Sequence, residues 1–190
     1  SWDTSSVTDF SGTFSGATSF NGDVSTWDTK SATGMSIMFS AASTFNRDLS
    51  SWDTSSVDEF GGMFYSATSF NGDVSTWDTK SATGMSAMFR SASSFNTDVS
   101  SWVTSSVDDF RRMFRNATDF NQDISSWNVS SATTLFGMFL GGSSFNQDLC
   151  SWYDKLQNTT EVDRMFEDTA CASTNDPDFN TSATFCAVCA

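Results

Sequence analysis

An aspartate recurs every 25 residues, at Asp23, Asp48, Asp73, Asp98, Asp123 and Asp148. Carboxylates stacked one above another repel unless solvent, hydrogen bonds or a cation offsets their charge. A calcium ladder is one chemistry that such a column offers. Calcium-binding repeats supply several ligands from each turn, however, and each turn here supplies one Asp and one Asn. The other reading is that these side chains close turns by accepting backbone N–H groups of their own or the next coil. A second column, Thr4, Thr29, Thr54, Thr79 and Thr104, is a row of hydroxyls of the kind that could face ice. An ice-binding face wants two such columns; here Asp lies beside the single one and Val129 ends it. There is no His, no nucleophile elbow, no phosphate-binding Gly loop and no carboxylate pair outside the repeats. No catalytic residue and no cofactor is therefore assigned, nor any metal site besides that Asp ladder, and the reading is of a non-enzyme.

The cysteines and sequons lie late in the chain. Cys150, Cys171, Cys186 and Cys189 are the only cysteines. An even number confined to one end predicts a disulfide-stapled C-terminal cap, with three pairings open. Zinc is the competitor, but there is no His and only one C-x-x-C. Sequons begin at Asn116, Asn128, Asn158 and Asn180, and none of the F-N-x-D asparagines forms one. Together these features predict an extracellular or cell-surface glycoprotein, given a host that glycosylates.

The net charge is −14. Such a surface lacks the basic footprint that nucleic acid and anionic membrane require, so neither is an expected partner. No apolar run is long enough for a membrane span. The one basic cluster is Arg111, Arg112 and Arg115, near Arg90. On a helix, Asp108 would pair with the first two; a docking patch for an acidic partner is the alternative.

What positions these residues is a clock. Tryptophan stands at Trp2, Trp27, Trp52, Trp77, Trp102, Trp127 and Trp152, and two phenylalanine series keep the same time, Phe14 to Phe139 and Phe20 to Phe145. Asn21 to Asn146 follow the second series. A fixed period of this size marks an array of one small unit. Six units fill 1–25, 26–50, 51–75, 76–100, 101–125 and 126–150. Residues 151–190 read as a degenerate repeat and cysteine-rich cap. Val7, Phe10, Phe14 and Ala17 have the spacing of one helix face. Ser56-x-x-Glu59 reads as a capping box. Val24-Ser-Thr-Trp27 reads as a strand entered through an Asn/Gly/Asp turn. The expected fold is therefore an α/β repeat solenoid. Each coil would be a short strand plus a short helix, and the strands would stack at about 4.8 Å into one narrow parallel sheet.

No unit can bury its own apolar stripe, so neighbours must cover it. The Trp series is therefore read as a core ladder. The alternative, an exposed ladder gripping sugars or bases, would be a large sticky patch. A second period lies beneath the first: residues 1–50 and 51–100 agree at 38 of 50 positions. The duplicated unit is a doublet, which places Lys30 and Lys80 two coils apart on one face. The outward positions should be the variable ones: Thr8/Asp58/Asp108, Ser15/Tyr65/Arg115 and Gly22/Arg47/Thr97. The chain starts within a motif, at Ser1-Trp2, and reads as a fragment or processed chain.

The segments FNGDVSTWDT and FNQDISSWNVSSATTLFGMF resemble the repeat of BspA-like leucine-rich-repeat surface proteins, a repeat also abundant in mycoplasma surface proteins. The resemblance covers residues 1–150; beyond them it weakens to Trp152, Met165-Phe166 and Phe179-Asn180. Departures are Thr13 in the M-F position, Val103 in the W-D position and the cysteine-rich end. The resemblance implies a leucine-rich-repeat-like stack, a surface or secreted location and adhesion in some members. It carries over no binding residues.

The expected function is multivalent adhesion to a protein or glycan ligand on another surface, through contacts spaced by one coil. A structural subunit of a glycosylated filament or coat, formed by self-association, is the alternative. A glycan-binding module is the third.

Overall fold

A computed structural model describes residues 2–177 and 185–187. The chain winds into coils of 25 residues that lie one on the next. Rings at equivalent positions stack between neighbours, with Phe39 and Phe64 at 5.6 Å and Trp77 and Trp102 at 6.1 Å.

The expected α/β solenoid is not what forms. Among the described residues the one helix is a 3-10 turn, Cys150–Trp152. The parallel pairings are isolated bridges, one per coil, running Asp9, Gly34, Glu59, Gly84, Asp109, Thr134 and Glu161. There is neither a helix in each coil nor a parallel sheet, so the leucine-rich-repeat-like architecture is corrected to a stack of turns.

The spacing of coils explains the missing helices. Packed helices need about 8–10 Å between axes, and rings at equivalent positions repeat at about 6 Å, as at Phe45–Phe70 (5.8 Å). A helix in every coil would not fit. The segment expected to be helical alternates between two kinds of bond instead. Phe60, Gly62, Phe64 and Ser66 donate their N–H groups to Gly84, Ser86, Met88 and Arg90 of the next coil, at 2.7–3.0 Å. Met63, Tyr65 and Ala67 donate to the carbonyl three residues back, closing turns at 2.9–3.1 Å. Two residues per coil take left-handed backbone to make these turns: Gly12 and Gly16, Ile37 and Ala41, Gly62 and Ser66, Ala87 and Ser91. A helix admits none. The Ser56–Glu59 capping box consequently does not form; Glu59 sits at a bridge.

The expected strand fails for a local reason. Asp23 accepts the Ser25 N–H at 2.9 Å, and Trp27 donates its N–H to Val24 O at 3.1 Å. The Asp offers the backbone a turn in place of a ladder.

The core is one layer of aromatic columns. Phe64 lies on Phe70 of its own coil at 3.8 Å and on Phe89 of the next at 5.5 Å. Met38, Met63, Met88, Met113, Met138 and Met165 fill the space beside them and are fully buried. The column extends past the sixth unit, where Phe166 stacks on Phe139 at 5.8 Å. Beyond it, Leu149 N–H donates to Phe185 O at 3.1 Å.

The doublet also has a packing cause. A Cβ on Gly34 would stand 2.8 Å from Asp9 Oδ1, and one on Gly84 would overlap the Glu59 carboxylate. In the first four coils glycine alternates with the acidic residues of the bridge column and makes room for them; further on, Thr134 takes that place and donates its hydroxyl to Glu161.

Candidate functional site

The columns divide into those consumed by the stack and those left outside it. Trp52, Trp77, Trp102, Trp127 and Trp152 are buried, whereas Trp27 is half-buried and Trp2 is 76% exposed. The indole N–H groups of Trp52, Trp77, Trp102 and Trp127 reach the carbonyls of Val24, Leu49, Val74 and Val99 in the preceding coil, at 3.0–3.1 Å. Each tryptophan thus fills a corner and ties two coils together.

The threonine column is also internal. Thr29, Thr54, Thr79 and Thr104 are at most 2% exposed. Their hydroxyls donate to Asp53, Asp78, Val103 and Asn128 carbonyls of the next coil, at 2.9–3.0 Å. This row offers no face to ice. The asparagines form a further ladder: Asn21, Asn46, Asn71, Asn96 and Asn121 each accept, through Oδ1, the backbone N–H of the next asparagine at 2.8–3.1 Å.

The candidate calcium column is solvent-facing. Asp23, Asp48, Asp73, Asp98, Asp123 and Asp148 each accept an N–H two residues on, from Ser25, Ser50, Ser75, Ser100, Ser125 and Cys150, at 2.8–2.9 Å. The Ser N–H groups, and next the Ser hydroxyls, hold Asp48, Asp98 and Asp123 below the usual carboxylate range. At Asp23 the Ser25 hydroxyl leads and the N–H follows. Shallow clefts of about 330 and 380 Å³ lie between successive aspartates, at Asp123–Asp148 and Asp98–Asp123. Among the described residues no three His, Cys, Asp or Glu side chains converge to hold a metal ion.

A parallel column, Asp3, Asp53 and Asp78, makes the same turn with Ser5, Ser55 and Lys80 at 3.0–3.2 Å. Lys80 also pairs with Asp78 at 2.7 Å.

Cys171 and Cys186 form a disulfide across 15 residues. Cys150 is disulfide-bonded as well; Cys189 lies outside the described residues. Of the sequon asparagines, Asn116, Asn128 and Asn158 are exposed, and Asn180 lies outside the described residues. No helix among the described residues is long and apolar enough to cross a membrane.

Of the variable positions, Thr8, Asp58, Asp108, Ser15, Gly22 and Arg47 are exposed, and Tyr65, Thr97 and Arg115 are half-buried. The arginine cluster differs from its expected form. Without a helix, Asp108 does not pair with Arg111 or Arg112. Arg111 instead pairs with Asp109, two residues back, and Arg112 lies over the Phe136 ring at 5.2 Å. Arg90 lies over Tyr65 at the same distance. Phe136 escaped notice in the sequence because it stands alone in its column; aligning the coils on Trp would have set it beside Arg111.

Residues 1–93 and 72–180, in two overlapping stretches, match a family described as a Mycoplasma protein of unknown function, DUF285. No curated protein and no solved structure matches. The matched stretches include every tryptophan and the Phe, Asn and Asp columns that the stack consumes. The chain belongs to this mycoplasma repeat family, DUF285, whose function is unknown.

Proposed function

We propose that the protein is a non-enzymatic repeat protein of the cell surface or extracellular space, presenting a long face for multivalent adhesion to a protein ligand. One observation carries the reading. The repeated side chains are spent on the stack itself, in buried Trp, Phe, Met and Thr columns, while the residues that differ between coils are exposed or half-buried at its surface. Contacts spaced by one coil then add up to useful avidity without a pocket. The Cys171–Cys186 disulfide supports an oxidising compartment. The resemblance of the F-N-x-D and W-D columns to the repeat of BspA-like surface proteins supports adhesion but lends no leucine-rich-repeat architecture.

The test is retention of candidate partners on the purified chain, immobilised at graded density. Extracellular matrix proteins and a glycan array serve as the partners. Adhesion predicts retention of a protein that strengthens steeply with density. No retained protein at any density contradicts it, and glycan hits alone would replace it with the glycan-binding reading.

A second reading is a structural subunit of a glycosylated filament or coat. Length-dispersed particles on sizing would favour it; a monodisperse monomer would remove it.

A further inference from the structure

The left-handed turns create a face of their own, and there the charge of the protein reverses. In coils three to six, this face carries Tyr65; Arg90; Arg111, Arg112 and Arg115; and Phe136 with Leu140. In the next turn Arg164 follows, with Asp163 and Glu167 at the positions equivalent to Phe136 and Leu140, so the basic stretch ends there. Arg90, Arg111, Arg112, Arg115 and Arg164 are five of the nine Lys and Arg in a chain of net charge −14.

Backbone bonds fix the register. Ser66 N–H donates to Arg90 O and Ser91 N–H to Arg115 O, both at 2.7 Å, and Arg112 N–H donates to Phe136 O at 2.9 Å. Arg90 and Arg115 therefore stand one coil apart in a single row. The aromatic rings hold two guanidinium groups in place, Arg90 over Tyr65 and Arg112 over Phe136. Such stacking orders an arginine without neutralising it.

Neutralisation is what this face lacks. Arg111 and Arg164 have carboxylate partners, Asp109 and Glu167. Among the described residues Arg90, Arg112 and Arg115 make no ion pair, and the Nε of each is buried without a hydrogen-bond partner. Burial, and then the charges of Arg90, Arg112 and Arg164, hold Arg115 below the usual arginine range. The carboxylate that acts on Arg115 is Glu167, which pairs with Arg164 and offsets the repulsion only in part. Three gathered and unpaired guanidinium groups on an acidic protein are complementary to an external anion with several carboxylates.

The geometry favours an extended peptide. Side chains at equivalent positions repeat at about 6 Å, as in the 5.8 Å between the Phe114 and Phe139 rings. Alternate side chains of an extended strand repeat at about 6.6–6.8 Å. A strand along the stack axis would present alternate carboxylates at nearly the pitch of this row. Tyr65 and Phe136 flank it with apolar surface.

We propose that the face formed by Tyr65, Arg90, Arg112, Arg115 and Phe136 binds an extended acidic segment of a partner protein, lying along the stack axis. The inference rests on the protein-adhesion reading above and names its partner class.

The probe is a fluorescent peptide of alternating Glu and Ser, titrated with the full chain and followed by anisotropy. A Gln-Ser peptide and a sulfated oligosaccharide serve as comparisons. The Glu peptide should bind, and raising salt from low to physiological should weaken it severalfold. Replacing Arg90, Arg112 and Arg115 together by Gln, which keeps most of each stem, should weaken binding at least about tenfold. The Lys30→Gln, Lys80→Gln double variant should stay within about twofold. Near-UV circular dichroism of the tryptophans checks folding. If the triple variant does not fold, each single variant should still lose about threefold.

Unchanged binding by the triple variant, or by all three single variants, would overturn the proposal. So would a sulfated oligosaccharide that binds this face when the Glu peptide does not, or equal binding of the Gln-Ser peptide. If a matrix protein is retained equally by the native chain and the triple variant, this inference fails and adhesion stands. If the Glu peptide binds this face but no protein is retained at any density, adhesion fails instead.

Discussion

Replacing Ala87 with glycine should stabilise the protein. Ala87 has φ 54°, in the left-handed region that costs an L-residue about 1–2 kcal/mol. Glycine removes that cost. Against it stands the greater freedom of glycine in the unfolded chain, about 0.4–1 kcal/mol. The half-buried methyl adds about 0.3 kcal/mol more. The balance is a gain of about 0.5 kcal/mol. Gly62 and Gly137 already occupy this position in other coils, at φ 60° and 56°, so the backbone accepts glycine there. The sign is what matters. Were this segment the short helix that its hydrophobic spacing predicts, Ala→Gly would cost about 1 kcal/mol. Urea unfolding of Ala87→Gly beside Ala92→Gly reads the difference. Ala92 is fully buried, is not among the positive-φ residues, and should lose at least about 1 kcal/mol. A loss of that size at Ala87 would refute the turn account.

Other perturbations probe the remaining columns. Thr79→Val removes a buried donor to Val103 O and should cost about 1–2 kcal/mol in urea unfolding; a neutral result would mean that the column does not bind coils together. Stability should be level from pH 6 to 8, since the chain has no His. Asp48, Asp98 and Asp123 have lowered folded values. Their contribution is therefore complete above the unfolded value of about 3.9 and is lost as pH falls through the folded values. Unfolding at successive pH values should show the decline setting in below about pH 4, and a decline centred near pH 6 would contradict this. Reducing Cys171–Cys186, which closes 15 residues, should cost about 3 kcal/mol. Hydrogen exchange should place the loss in the last coils, and uniform loss along the stack would argue against nearest-neighbour stability.

The period, the coil stacking and the buried Trp column were legible in the sequence because Trp repeats every 25 residues without a slip. The elements were not. Spacing of the Val7, Phe10, Phe14 type suits a helix face, but turns that return every fourth residue, as at Gly12 and Gly16, give it equally well. Only the spacing of the segment itself, with Phe39 and Phe64 at 5.6 Å, decides against a helix in every coil. In the sequence the threonine column counts only as a candidate ice-facing row, and is set aside. It is buried because each hydroxyl finds a carbonyl one coil away, a partner that no local window shows. The arginine face was half legible. Its charges were visible at Arg111, Arg112 and Arg115, but their ring partners Tyr65 and Phe136 are one coil distant. The doublet was visible as a count of identities; its cause, glycine beneath Asp9 and Glu59, needed coordinates.

The most direct measurement is the scalar coupling across the hydrogen bond donated by the Phe64 amide. The stack of turns gives that N–H to Met88 O in the next coil, at 2.8 Å. A coupling from Phe64 nitrogen to the Met88 carbonyl carbon is therefore predicted, with equivalents from Phe39 to Met63 and from Phe89 to Met113. Coupling from Phe64 to the Phe60 carbonyl, four residues back, would be the helical bond and would contradict the account.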